Sequence, residues 1–243
     1  MVNEMHRAII GGTPFAELMI RVMLDNMKVQ PEYIYVMEDD EKRAKAIKEK
    51  YQIQAGGSLL PVKKAHVIVL TIDVMKEATL ARQLADNIIP GVPLISVVNG
   101  RDIHSLEEAF PNRPIIRAAN TAFAMYREGL GIFSVGKFAS TDARSVAYTM
   151  LSQIGKVIEV PEEKFDQLSS GLAKETFVTA VFFESLLERC RSLGLDEGEA
   201  RTAALQIYAG TAKIAMSGNL EIFCASNEKI RENVRHSFVY CHK

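Results

Sequence analysis

The chain has no tryptophan and only three cysteines, Cys190, Cys224 and Cys241, in 243 residues. An odd, widely spaced trio builds neither a disulfide framework nor a zinc pattern, so no metal is expected, and Cys241-His242 reads as tail. Charge is balanced: 29 Lys and Arg stand against 30 Asp and Glu, a formal net charge of −1. A chain without a basic surplus gives no footprint for nucleic acid or an anionic membrane. No apolar run reaches the ~18 residues of a membrane span. The stretch Met1–Arg7 lacks the layout of a signal peptide. A cytoplasmic protein with no nucleic-acid or membrane partner is expected. His6, His66, His104 and His236 are each isolated from a nucleophile or carboxylate in sequence. No Ser/His/Asp or Cys/His arrangement assembles, and no catalytic residue is assigned.

What is present begins at Ile9-Ile10-Gly11-Gly12-Thr13-Pro14-Phe15-Ala16-Glu17-Leu18. An apolar run leads into glycine and then into an amphipathic stretch from Phe15 to Leu24. That is the strand, turn and helix that set a pyrophosphate at a helix N-terminus. Gly11 and Ala16 fit the first and third places of G-x-G-x-x-G/A. The middle place is Thr13, whose β-branched side chain crowds the phosphates, and Pro14 removes one N–H. Further strands are expected at Tyr33–Met37, Val67–Ile72, Leu94–Val98, Ile115–Ala118 and Leu130–Val135. They alternate with helical patterns at Glu41–Tyr51, Met75–Ile88 and Ser105–Phe110, which argues for βαβ units and a mainly parallel sheet.

After Ile154-Gly155 the pattern turns helical. Glu162–Leu193 carries no proline and has apolar residues at helical spacing. Asp196 is placed to cap a second helix, Glu197–Met216, and Asn227–Val234 is a last helical stretch. Phe177–Leu187 is apolar nearly all round, so it needs cover from other helices. A homodimer through these C-terminal helices is the expectation; packing onto the first domain is the alternative. The expected fold is α/β: a Rossmann-like doubly wound sheet over residues 1–157, then a helical dimerisation domain over 158–243.

The order of segments resembles the pyrroline-5-carboxylate reductase family from Ile9 to about Met216. The similarity runs through the Gly11 turn, Val69-Leu70-Thr71-Ile72, Leu94 to Gly100, and Ile115-Ile116-Arg117-Ala118-Ala119-Asn120-Thr121. It continues with Ile154-Gly155-Lys156, Glu163 and Asp166, and then Ala200 to Lys213. The resemblance implies a nicotinamide-dependent reduction of a small cyclic imine, of the proline-biosynthesis type. Several family positions differ. Its Lys-Pro pair is Asp73-Val74, and the Met-Pro before Asn-Thr is lost. Its helix-kinking Ser-Gly-Ser-Gly-Pro-Ala-Tyr aligns with Leu172-Ala173-Lys174-Glu175-Thr176-Phe177-Val178, good helix formers that predict an unbroken helix. Its Ser-Pro-Gly-Gly-Thr-Thr loop has only Cys224-Ala225-Ser226-Asn227 near its place. A catalytically inactive relative that binds or regulates is therefore the alternative to an oxidoreductase.

Candidate residues follow from these readings. Gly11, Gly12, Thr13 and Ala16 would line a pyrophosphate, or form a scaffold turn. Glu38, at the end of the second strand, would accept from a ribose 2′-OH and repel a 2′-phosphate, favouring NAD over NADP. Alternatively it opens the acidic loop Glu38–Glu41. Thr71, Asn99, Gly100 and Asn120 sit at strand ends, on the side where α/β sheets hold cofactors. Arg117 and Thr121 would contact a small anionic ligand, with loop capping as the alternative. Lys174 falls where the family's substrate sits, or forms a surface ion pair. Asp73 would relay a proton or meet a cation, or is a surface acid.

Overall fold

The computed structural model describes residues 4–76 and 78–225, and divides into two compact units, Met1–Thr176 and Phe177–Lys243. The expected helix Asn227–Val234, His236 and Cys241-His242 lie outside the described residues. In the first unit eight strands form one sheet: β1 (Arg7–Ile10), β2 (Ile34–Met37), β3 (Gln54–Gly56), β4 (Val67–Leu70), β5 (Leu94–Ser96), β6 (Ile115–Asn120), β7 (Gly129–Val135) and β8 (Gly155–Glu159). Their spatial order is β3-β2-β1-β4-β5-β6-β7-β8. Pairing is parallel except between β6 and β7. The chain leaves β1 in one direction for β2 and β3, and returns to its other side at β4. Such a switch point opens a crevice at the carboxyl ends of the strands.

The strands are continuous apolar runs because both faces of the sheet are covered. Ile9, Val36, Val69, Ile95 and Ile116 face one layer, with Leu18, Met19 and Met23 of α1 (Pro14–Asp25) and Ala147, Met150 and Leu151 of α5 (Thr141–Leu151). Ile10, Met37, Ile68 and Leu70 face the other, with Leu84 of α3 (Ala78–Asn87) and Leu106 of α4 (Ile103–Ala109). α2 (Glu41–Tyr51) adds Ile47 to the first layer.

Three elements were not expected from sequence. β3 is a three-residue edge strand of Gln, Ala and Gly, with no strand propensity of its own. β8 is half solvated. α5 has a modest apolar face, though Ser140 caps it by accepting from the Ala143 N–H. β6 also runs two residues past its expected end at Ala118. Pairing of Ala119 with Ile132 and of Asn120 with Gly131 extends it.

The helix α6 (Glu162–Ser192) is unbroken, as its helix formers predict, and passes from the first unit into the second. In the second unit α7 (Glu197–Met216) starts at the expected cap. Asp196 and Glu199 exchange side-chain and backbone bonds in a capping box. A short α8 (Leu220–Ala225) follows. The core of this unit is small: Cys190, Ala200 and Ala204, with Phe183 edge-on to Tyr208. Phe177, Val181, Leu205 and Ile207 are exposed. No helix among the described residues is long and apolar enough to cross a membrane. No cluster of three or more His, Cys, Asp or Glu there is placed to hold a metal ion.

Candidate active-site cleft

The turn after β1 is fixed by its own chain. Gly11 adopts φ +98°, and a Cβ there would stand 2.5 Å from the Ile72 side chain, so glycine is required twice over. Its N–H donates to the Met37 carbonyl at 2.8 Å. The Thr71 hydroxyl donates to the carbonyls of Ile10 and Gly11, each at 3.0 Å. Thr13 is the N-cap of α1, its hydroxyl accepting from the Ala16 N–H at 3.2 Å. Glu38 accepts from the Gly12 N–H at 2.9 Å and from the Asp40 N–H at 3.0 Å, with Arg43 at 3.5 Å. A side chain at position 12 would collide with that carboxylate and with Ile47. The Thr13 and Phe15 N–H groups remain as donors at the helix N-terminus, because Pro14 has none.

Beside this turn a cleft of about 800 Å³ opens at the carboxyl ends of β1, β4, β5 and β6, bounded across by the first part of α6. Of the expected residues, Thr13, Thr71, Asn99, Gly100, Arg117, Asn120 and Thr121 line it. Phe15, Val97, Val98 and Met125 make apolar walls. Gly11, Gly12 and Ala16, at the β1–α1 junction, and Glu38, just after β2, are not in its lining. Lys174 is exposed on α6 and is not part of the lining, although Ala173 is.

Two of the candidate residues are already paired within the chain. Arg117 is engaged within the chain. It lies inside β6, 3% exposed, with its Nη1 donating to Glu162 at 2.9 Å and its Nη2 to Asp166. Its guanidinium also covers the Phe165 ring at 4.1 Å. A buried guanidinium without carboxylates would be too costly to keep, so α6 brings both. Asp73 meets a cation, one of the readings its position left open. Arg101 grips it through Nε and Nη2 at 2.8–3.1 Å, and those bonds hold its carboxyl below the usual range.

Thr121 caps locally, accepting from the Leu130 N–H at 3.0 Å. Asn120 does not: both polar atoms of its side chain are buried without a partner, as are Arg117 Nε and the second Glu162 oxygen. Orphaned buried polar atoms are uncommon and call for an explanation. Phe165 and Asp166 complete the site, and sequence reasoning did not place them there. The available signal was helical spacing: Glu162 and Asp166 are four apart and so share a face.

The strand order, the glycine turn and the crevice at the switch point define a protein of the dinucleotide-fold class. A family profile described as NADP oxidoreductase coenzyme F420-dependent matches residues 7–100. A pyrroline-5-carboxylate reductase of Synechocystis is 28% identical over 209 residues, covering 85% of this chain and 77% of that one. The Mycobacterium leprae enzyme of the same name is 24% identical over 228 residues, covering 89% and 76%. In fold, the pyrroline-5-carboxylate reductase of Coxiella burnetii superposes with a TM-score of 0.84 at 20% identity, covering 98% of this chain and 94% of that chain. A pyrroline carboxylate reductase of Plasmodium falciparum, solved with NADP bound, gives 0.78 at 14% identity, covering 98% and 93%. The chain thus resembles pyrroline-5-carboxylate reductases in sequence and shares their fold.

Proposed function

We propose that this protein is a nicotinamide-nucleotide-dependent oxidoreductase that reduces a small cyclic imine in the cleft between the strand ends and α6. The observation that carries this reading is the cleft itself, at the β1–β4 switch point beside the positive-φ Gly11 turn. The names of its relatives, one of them solved with NADP, support the same class. The residues fit a nucleotide. The N–H groups of Thr13 and Phe15 remain for a pyrophosphate, Glu38 for a ribose hydroxyl, and Thr71, Asn99, Gly100 and Asn120 for the end that enters the cleft. When bound, a reduced nicotinamide supplies a hydride. The chain's own part is to hold the imine, shield it from water with Phe15, Val97 and Met125, and keep its nitrogen protonated. No strong general base is required, because a protonated imine is already electrophilic.

NADH is the preferred form in this reading. Glu38 presents a carboxylate where a 2′-phosphate would have to sit. Titration of purified protein with NADH and NADPH, followed by fluorescence and thermal shift, tests it. At a hundredfold excess over Kd a bound nucleotide adds about 2.7 kcal/mol of stability. Silence with both contradicts an oxidoreductase. A non-catalytic relative is favoured by one observation, the capture of the Gly12 and Ala16 N–H groups by Glu38 and Thr13. That reading predicts no shift.

The second unit acts as the dimerisation element in this proposal. Phe177, Val181 and Ile207 are too exposed for a helical unit with so small a core. Sedimentation should give a dimer, and Phe177→Asp with Val181→Asp should give a monomer.

A further inference from the structure

At the amino ends of the central strands, on the edge of the sheet away from the cleft, three rings form one row. His6, Tyr33 and His66 each stand one residue before a strand, β1, β2 and β4 in turn. Arg7 pairs with Ile34 on one side and with Val67 on the other, so the three residues precede a single paired row. The His6 ring meets Tyr33 edge-on at 5.1 Å. It stacks on His66 at 5.9 Å, with the two planes 12° apart.

Two reciprocal hydrogen bonds join His6 to His66. The His66 N–H donates to the His6 carbonyl at 2.7 Å, as in the rung of a parallel ladder. The return bond is of another kind: the His6 N–H donates to Nδ1 of the His66 ring at 3.0 Å. A ring nitrogen accepts only while it carries no proton, so this bond requires a neutral imidazole with its hydrogen on Nε2. Protonation turns Nδ1 into a donor and sets it against the His6 N–H. A backbone carbonyl in that place would hold the bond at any pH.

The neighbouring charges add to the effect. Burial, and then His66, Lys64 and Arg7, hold the His6 ring below the ordinary histidine value. A His66 cation would join the same positive group. Among the described residues lining the cavity beside His6, Arg7 and Lys64, Glu32 is the one acid, with Tyr33 and Tyr35 as further ionisable groups. A histidine whose cation is disfavoured in the folded chain stabilises it above about pH 6.5. That contribution is lost as pH falls through the lowered folded value.

We propose that His6 and His66 form a pH-sensitive latch between the amino ends of β1 and β4, closed by the neutral His66 ring and opened by its protonation. The change is local, because the pairing from Arg7 and Val67 onward does not use either ring. The latched strands and β2 between them and the edge carry the Gly11 turn, Thr71 and Glu38 at their other ends.

Nitrogen-resolved NMR of the imidazole rings in the full chain tests the latch. At about pH 7.5 the His66 ring should carry its hydrogen on Nε2 and none on Nδ1. Between about pH 7.5 and 5.5, protection of the His6 amide from exchange, corrected for the intrinsic rate, should fall at least about fivefold, the scale of one hydrogen bond. His66 is exposed, so its variants leave the core intact. His66→Asn sets an amide oxygen near the place of Nδ1 and does not titrate. It should keep the neutral-pH protection and lose most of the step. His66→Ala should show low protection at both pH values. A hydrogen on Nδ1 at neutral pH, unchanged protection in the wild type, a full step in His66→Asn or high protection in His66→Ala overturns the proposal.

Discussion

The two sides of the cleft solve the same problem in opposite ways. On the turn side three backbone donors have been met from within the chain: Gly12 by Glu38, Ala16 by Thr13, Gly11 by the Met37 carbonyl. On the β6–α6 side four buried polar atoms have no partner: both of Asn120, Nε of Arg117 and one oxygen of Glu162. Folding alone rewards satisfied groups, so a finished turn is what a scaffold requires. The unfinished wall is where a ligand has something left to satisfy. In the proposed reading, cofactor choice rests with the preorganised side and substrate choice with the unsatisfied one.

The largest effect that would break this contrast lies at Arg117. Arg117→Met leaves Glu162 without its counter-charge. It should destabilise the fold toward the lower end of the ~3–5 kcal/mol typical of a broken buried pair, because Asp166 stays solvated. Adding Glu162→Gln and Asp166→Asn should recover much of that loss in urea unfolding. If the single variant unfolds like wild type, the wall is not built around this charge group.

At Glu38 the effect should fall on recognition. If the proposed nucleotide site is right, Glu38→Ser removes a carboxylate that would face a 2′-phosphate and should raise NADPH affinity relative to NADH by about tenfold or more. Paired titrations read the ratio. An unchanged ratio would mean that Glu38 only braces the Gly12 turn.

Asn120→Ala sharpens the comparison because stability and binding should part company. Removing an unpartnered buried amide should leave stability unchanged or raise it by up to about 1 kcal/mol, while weakening ligands of the cleft. A marked loss of stability would mean that the amide is paired in the folded protein.

The smallest effect concerns Asp73. Arg101 lowers its folded carboxyl value below the ordinary one. Its contribution is therefore present above about pH 4 and lost as pH falls through that lowered value. Asp73→Asn should flatten the acid limb of the melting profile, with a shift at neutral pH of no more than about 2 °C. A steeper acid limb in the variant would reverse the sign.

What the sequence disclosed follows the range of the interactions. The Gly11 turn, the β1, β2, β4 and β5 strands and the Asp196 cap are local patterns, and each stands where its residues predict. β3 and β8 were hidden because an edge strand needs neither alternation nor β-branched residues when a neighbour supplies the hydrogen bonds. The Arg117 group was hidden for a different reason: its partners lie 45 and 49 residues away. A polar residue at a strand end looks the same in sequence whether it waits for a ligand or for a helix. Only the partners that the fold brings separate Arg117, which is paired, from Asn120, which is not.

Hydrogen exchange with and without NADH is the most direct test of nucleotide binding at the Gly11 turn and the neighbouring strand ends. Amides of residues 11–18 and 97–100 should exchange more slowly with NADH present, since both segments flank the nucleotide in this account. Unchanged exchange in both, at NADH concentrations that saturate any fluorescence signal, would contradict it.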